Sequence, residues 1–175
     1  SDTLYYNTGT HIAELHSPST VVNDRGTIFT SLGIYDTDSN RTTLYNRSTI
    51  VTAQGQTLTA DTIFYDRTAG YGEAFGAMEA TDSAHKAAIY GDYGFYNEFA
   101  DSSFVTGHAE MRHFGEPDTL FLHARYIQTF RRIDSTLVAA DTIAGTPEYT
   151  RCDTSHVAVA YPRVRFFRTD MQGIC

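Results

Sequence analysis

Seven histidines, two cysteines and 21 carboxylates are the side chains through which this sequence could do metal or acid–base chemistry. Their spacing argues against most of it. His11, His16, His85, His108, His113, His123 and His156 are scattered, with no His-x-His pair, no His-Glu-x-x-His and no Cys-x-x-Cys. A zinc site is therefore not expected, and no cofactor is implied. No Gly-x-Ser-x-Gly elbow supplies a nucleophile. The glycines between Tyr71 and Gly76 fall on an alternating run, where they cannot open a helix around a phosphate. Asp61 and Asp92 could pair as the acid and base of a glycosidase. They recur at equivalent places in a repeat, however, which favours turn or bulge hydrogen bonding in each copy, because a catalytic residue need occur only once. The expectation is a protein without catalysis, with a glycan-processing pair as the enzymatic alternative. Cys152 and Cys175 permit one disulfide, which would fit an oxidising compartment.

What stands out instead is a column of small and aliphatic residues. Leu58, Ala60 and Ile63 are followed by Ala74, Gly76, Met78 and Ala80, then by Ile89 and Gly91, then by Val105, Gly107, Ala109 and Met111. If the runs that carry them stack in register, they form one long apolar stripe. Such a stripe is either a dry core or a groove that holds lipid: Gly and Ala fill little volume, and Met adapts to irregular partners. Tyr65 and Tyr96 would mark its mouth or its turns, each with an apolar ring and a wet hydroxyl.

The elements that must position this column are strands. In Leu58–Ala80 an alternating run slips its apolar phase by one residue near Asp61-Thr62, the mark of a β-bulge, and resumes at Ile63 and Tyr65. The hinge Asp66-Arg67-Thr68-Ala69-Gly70 is turn chemistry, and a return run follows. The same unit can be laid on Ile28, Thr30, Gly33, Tyr35 and Asp36, and on Ile89, Gly91, Gly94, Tyr96 and Asn97, with a degenerate copy at Leu122, Ala124 and Ile127. Tyr6, Tyr35, Tyr65 and Tyr96 recur at a period of roughly 30 residues, which indicates stacked copies of one supersecondary unit. Each period holds two alternating runs, so the unit is a pair of strands. Regularity fails over 131–156, which contains a second Ala-Asp-Thr-Ile at Ala140–Ile143 and a Gly-Thr-Pro turn at Gly145; it reads as an elaborated hinge or insertion. Val157 to Phe167 then reads as a last return strand, with Pro162 suited to an edge.

Composition agrees: 12 Tyr, 11 Phe and 13 Gly with only four Pro suit an all-β chain. A net charge of −8, with Lys86 the single lysine, disfavours nucleic acid as a partner. The late arginines, Arg131, Arg132, Arg163, Arg165 and Arg168, are expected on a solvated strand face rather than as an anion-contacting patch. There is no apolar run near the ~18 residues of a membrane-spanning helix and no signal-peptide pattern. Residues 1–175 are expected to form a single domain, and because they open inside a repeat and without Met, a piece of a longer protein.

At these residues the chain resembles the OstA/LptA-like family of lipopolysaccharide-transport proteins. The motifs are Leu58-x-Ala60-Asp61 with Tyr65-Asp66, the return Ala74-x-Gly76-x-Met78, and their repeats at Ile89-x-Gly91-Asp92, Tyr96-Asn97 and Val105-x-Gly107-x-Ala109. The tail Val164-Arg165-Phe166-Phe167-Arg168-Thr169-Asp170-Met171-Gln172-Gly173 extends the likeness, which spans most of 1–130 and about 157–175. What it implies is an open, twisted antiparallel β-jellyroll whose interior holds lipid A acyl chains. It also implies edges that pair with like domains, head-to-tail self-association included, in a bridge across the periplasm of a Gram-negative cell. The alternative is a non-catalytic envelope scaffold with a dry interior, binding protein partners through its exposed strand edges.

Overall fold

The computed structural model describes residues 3–138 and 149–168. Every regular element among them is a strand, and every pairing is antiparallel. The early repeats use short strands: β1 (Leu4–Asn7), β2 (Ile12–Leu15), β3 (Ser19–Asn23), β4 (Gly26–Thr30), β5 (Leu32–Asp36), β6 (Arg41–Tyr45), β7 (Ser48–Thr52), β8 (Gln56–Ala60) and β9 (Thr62–Asp66). The later ones fuse into long strands: β10 (Tyr71–Asp82), β11 (Ala87–Asn97), β12 (Ser102–Phe114), β13 (Thr119–Val138) and β14 (Tyr149–Tyr161), before a short β15 (Arg165–Arg168).

These strands form two rows. One, the anchor row, runs β1-β2-β5-β6-β9 and continues through Tyr71–Phe75 of β10, Tyr93–Asn97 of β11, Ser102–Thr106 of β12 and the later part of β13 to β14. The other, the companion row, runs β3-β4-β7-β8 and continues through Glu79–Asp82 of β10, Ala87–Tyr90 of β11, Ala109–Phe114 of β12 and Thr119–Ala124 of β13 to β15. β10, β11, β12 and β13 each lie in both rows and bend where they pass between them. Among the described residues, the ladder leaves β1 and β14 unpaired on the outer side of one row, and β3 and β15 on the outer side of the other. The fold is therefore an open antiparallel β-jellyroll, not a closed barrel.

Two kinds of corner make the bend. Outgoing strands spend one residue on it, at Ser31, Asp61, Asp92 and Arg125, so inward positions fall three apart, as at Ala60 and Ile63. That single residue is the phase slip visible in the sequence. Return strands spend two residues on it, both at positive φ: Asn46-Arg47, Gly76-Ala77 and Gly107-His108. Two residues restore the parity, so Ala74 and Met78 both face inward. At Gly76 and Gly107 the left-handed backbone favours glycine, and a Cβ would lie 2.5 Å from Asp61 Oδ2 and 2.6 Å from Asp92 Oδ2, respectively. The corners are thus repeated, sequence-encoded features.

Hinges at the far end of the anchor row are equally regular. Asn7, Asp36, Asp66 and Asn97 each accept backbone N–H groups two or three residues on, and the residue four places later, His11, Asn40, Gly70 or Asp101, takes positive φ. Neighbouring hinges are tied together: the N–H groups of Thr37, Arg67, Glu98 and Arg131 donate to the carbonyls of His11, Asn40, Gly70 and Asp101. The stretch 131–156, which reads as an elaborated hinge, continues the ladder wherever it is described, with Phe130 opposite Val157 and Val138 opposite Tyr149. Its Ala140–Ile143 and Gly145 features, and Cys175 of the possible disulfide, lie outside the described residues, as does the tail beyond Arg168. Pro162 falls between β14 and β15, at the edge corner.

Candidate functional site

The inner faces of the two rows meet along aligned rungs. In the anchor row, register places Leu15, Gly33, Leu44, Ile63, Ala74, Gly94, Val105, Ile127 and Ala160 side by side. In the companion row the rung three residues from the corner residues is Ile28, Ile50, Leu58, Ala80, Ile89, Met111 and Leu122. Between these two rungs sit Ala60, Met78 and Ala109, next to the corner, and all belong to one apolar cluster.

Burial grades sharply across that interior. Beside the corner it is sealed: Ala60, Met78, Ala109 and Ile127 are 0%, 3%, 1% and 1% exposed. Gly91 and Gly94 supply the close approach, since a Cβ on Gly91 would lie 2.4 Å from Val105 Cγ1, and one on Gly94 3.0 Å from Met78 Cε. Next along the same strands, Ile28, Ile50, Leu58, Ala80, Ile89 and Met111 are only half-buried. The rows therefore diverge from a packed spine at the corners to an open mouth at the turns. The half-buried rung crosses seven strands, about 30 Å at the usual interstrand spacing, from β4 to β13.

The mouth is polar and is bridged at one point. Arg25, in the β3–β4 turn of the companion row, approaches Tyr65 Oη at 3.5 Å and Glu98 at 3.9 Å on the anchor row, and the Tyr65 hydroxyl donates to Glu98 at 2.8 Å. Burial, reinforced by Glu98, raises the Tyr65 phenol above its usual pKa, and burial does the same for Tyr96, so both are neutral hydroxyls at neutral pH. Tyr96 is 44% exposed. These two tyrosines thus sit where their sequence positions suggest, with apolar rings on the inner face and wet ends at the rim.

The thirteen residues of the sequence column separate into three groups. Leu58, Ala80, Ile89 and Met111 line the open part, while Ala60, Ile63, Ala74, Met78, Gly91, Val105 and Ala109 form the sealed floor. Gly76 and Gly107 occupy the corners, with their vacant sides toward Asp61 and Asp92 rather than the interior. Those carboxylates bind locally: Asp61 pairs with Arg47 at 3.4 Å and Asp92 with His108 at 2.8 Å, each with 60% of its side chain exposed. Ile28, Ile50 and Ile127 join the interior although the column omits them; their signal is the repeat, which puts them at positions homologous to Leu58, Ala80 and Ile63, respectively.

One outer feature escaped the sequence reading. Phe64, Tyr71, Phe95, Phe104, Tyr126 and Tyr161 run ring to ring across the outside of the anchor row, with centroids 4.9 to 5.8 Å apart. Stacked at Tyr71–Phe95–Phe104–Tyr126 and tilted at either end, these rings brace the sheet from outside. A shallow depression of about 540 Å³ lies apart from the trough, on the first hairpin around Tyr5, Tyr6 and Glu14. Among the described residues, no three metal-ligating side chains converge. No family model matches the chain, and no curated protein matches it.

Proposed function

We propose that this chain binds the acyl chains of an envelope amphiphile in the trough between its rows and hands them on without a chemical step. Lipopolysaccharide is the cargo that the resemblance to the OstA/LptA-like family suggests, and it would set the work in the periplasm of a Gram-negative cell. The observation that carries the reading is the half-buried rung Ile28, Ile50, Leu58, Ala80, Ile89, Met111 and Leu122. It is apolar, continuous across strands, and about 30 Å long, the thickness of a whole bilayer hydrocarbon core. An acyl chain laid there would remove its own surface and that of the rung from water, at roughly 0.8 kcal/mol per CH₂ shielded. The unpaired outer sides of β1, β3, β14 and β15 would let like domains extend the trough by strand addition.

Photo-crosslinking residues in place of Met111 and, separately, Phe75 on the outer face test this with lipopolysaccharide. A saturable lipid adduct from position 111 and none from position 75 is expected; equal labelling, or none from 111, would overturn it. A second reading, a scaffold that only binds proteins, draws on the exposed Leu4, Tyr5, Tyr6 and Val22 at one end and Ile133, Val159, Tyr161 and Val164 at the other. It forecasts partner or self-association with no lipid adduct.

A further inference from the structure

We infer that the outer face of the anchor row docks a partner protein through an arginine side chain, received by Glu73 inside a collar of aromatic rings. Glu73 is half-buried on β10, on the face of the sheet turned away from the trough. Register puts Phe64 on one side of it and Phe95 on the other, and the period of two puts Tyr71 and Phe75 on the same face of its own strand. Tyr93 completes the collar, its hydroxyl donating to Glu73 Oε1 at 2.5 Å. The rings brace one another: Phe75 meets Tyr93 at 5.1 Å, and Tyr71 meets Phe64 and Phe95 at 5.7 and 5.8 Å. Phe75, 42% exposed, leaves one wall of the collar open to a partner.

Among the described residues, no arginine, lysine or histidine pairs with this carboxylate. Tyr93 does not supply the missing charge: burial, reinforced by Glu73, pushes its phenol up to about 12, so it remains a neutral donor. A half-buried carboxylate among rings calls for a cation. The other row of the same molecule shows which kind fits. On its outer face Glu110 stands beside Tyr90 in register and pairs with Arg112, whose guanidinium lies 4.5 Å from the Tyr90 ring centre and 5.7 Å from that of Phe121. There the arginine comes from the chain itself, two residues along the strand; at the matching place beside Glu73 stands Phe75. A guanidinium is planar and weakly hydrated, so it can donate to Glu73 Oε2 while its face rests on a ring, which a compact, strongly hydrated ammonium does less well. The collar lies mid-row, away from the unpaired β1 and β14 and on the reverse of the trough. It can therefore be filled whatever the trough holds.

The experiment titrates the whole chain with three capped tripeptides, acetyl-Gly-Arg-Gly-amide, its lysine counterpart and its uncharged citrulline isostere, followed by NMR of the aromatic ring protons. The arginine peptide should give saturable shifts at Phe75, Tyr93 and Phe95, with the citrulline peptide at least about tenfold weaker and the lysine peptide in between. Glu73→Gln, which keeps an acceptor for the Tyr93 hydroxyl, should bring the arginine peptide down to the citrulline level. Phe75→Ala, at an exposed position, should weaken it about threefold or more. Equal binding of the arginine and citrulline peptides, lysine binding as tight as arginine, undiminished binding by the Glu73→Gln variant, or no saturable shift at these rings would each overturn the inference. None of these outcomes bears on the trough.

Discussion

Two positions two residues apart on one strand show how differently the spine and the mouth use similar side chains. Met78 beside the corner is 3% exposed and packs on Gly94, whereas Ala80, toward the mouth, is half-buried among Leu58 and Ile89. The same contrast separates Ala60 from Leu58 and Ala109 from Met111. Residue type does not set this gradient; distance from the corner does, because the rows are hinged there and splay beyond it. The spine is where stability is concentrated, and the mouth is where apolar surface is kept accessible.

The comparison breaks most readily at positions where added atoms meet backbone or core. Gly26→Ala would place a Cβ 2.0 Å from the Val51 carbonyl at a φ of +150°, and about 3 kcal/mol or more of stability should be lost. Gly91→Val, driven into Val105 at the spine, should cost about 2–3 kcal/mol. Denaturant midpoints at unchanged m-value would check both. Truncation sharpens the contrast further. Ile127→Ala at the spine should cost about 3 kcal/mol, against about 1 kcal/mol for Met111→Ala at the mouth. Equal costs would show that the rows do not diverge.

Acid should act on the turns before the spine. Asp36, Asp66 and Asp82 have carboxyl pKa values depressed by hydrogen bonds, with the Arg41 guanidinium adding to the effect on Asp66. A depressed folded-state value means that the stability these groups contribute is present above the unfolded value near 4. It is lost as pH falls through the folded values, down to about 2 for Asp82. Acid titration followed by amide exchange should therefore loosen the hinge and turn amides between pH 4 and 2, ahead of Ala60 and Ile127. The smallest effect is expected at the exposed first hinge, where Asn7→Ala removes two acceptor contacts and should cost about 0.5–1 kcal/mol.

Much of this architecture was legible in the sequence because its signals are local. Each Tyr-Asp or Tyr-Asn anchor opens its own hinge, so the period of the repeats could be read directly from Tyr6, Tyr35, Tyr65 and Tyr96. The one-residue corner at Asp61 was visible because it shifts the alternation. The two-residue corner at Gly76-Ala77 was not: it preserves parity, and Gly76 looked like one more small lining residue until its vacant side was seen to face Asp61. The meeting of Arg25 with Tyr65 and Glu98 was equally hidden: Arg25 and Tyr65 are 40 residues apart and meet only when one row folds over the other, and Tyr65 and Glu98, 33 apart, meet only once the hinges stack. The outer aromatic ladder escaped for a similar reason, its rings being single residues on successive strands.

The most direct test of the trough is side-chain methyl NMR of the chain titrated with dodecyl maltoside. The account predicts saturable shifts and contacts to the alkyl chain from Ile50, Leu58, Ile89 and Met111, with Ile127 and Met78 silent. Contacts confined to the outer face around Phe75, or no saturable contact at all, would contradict it.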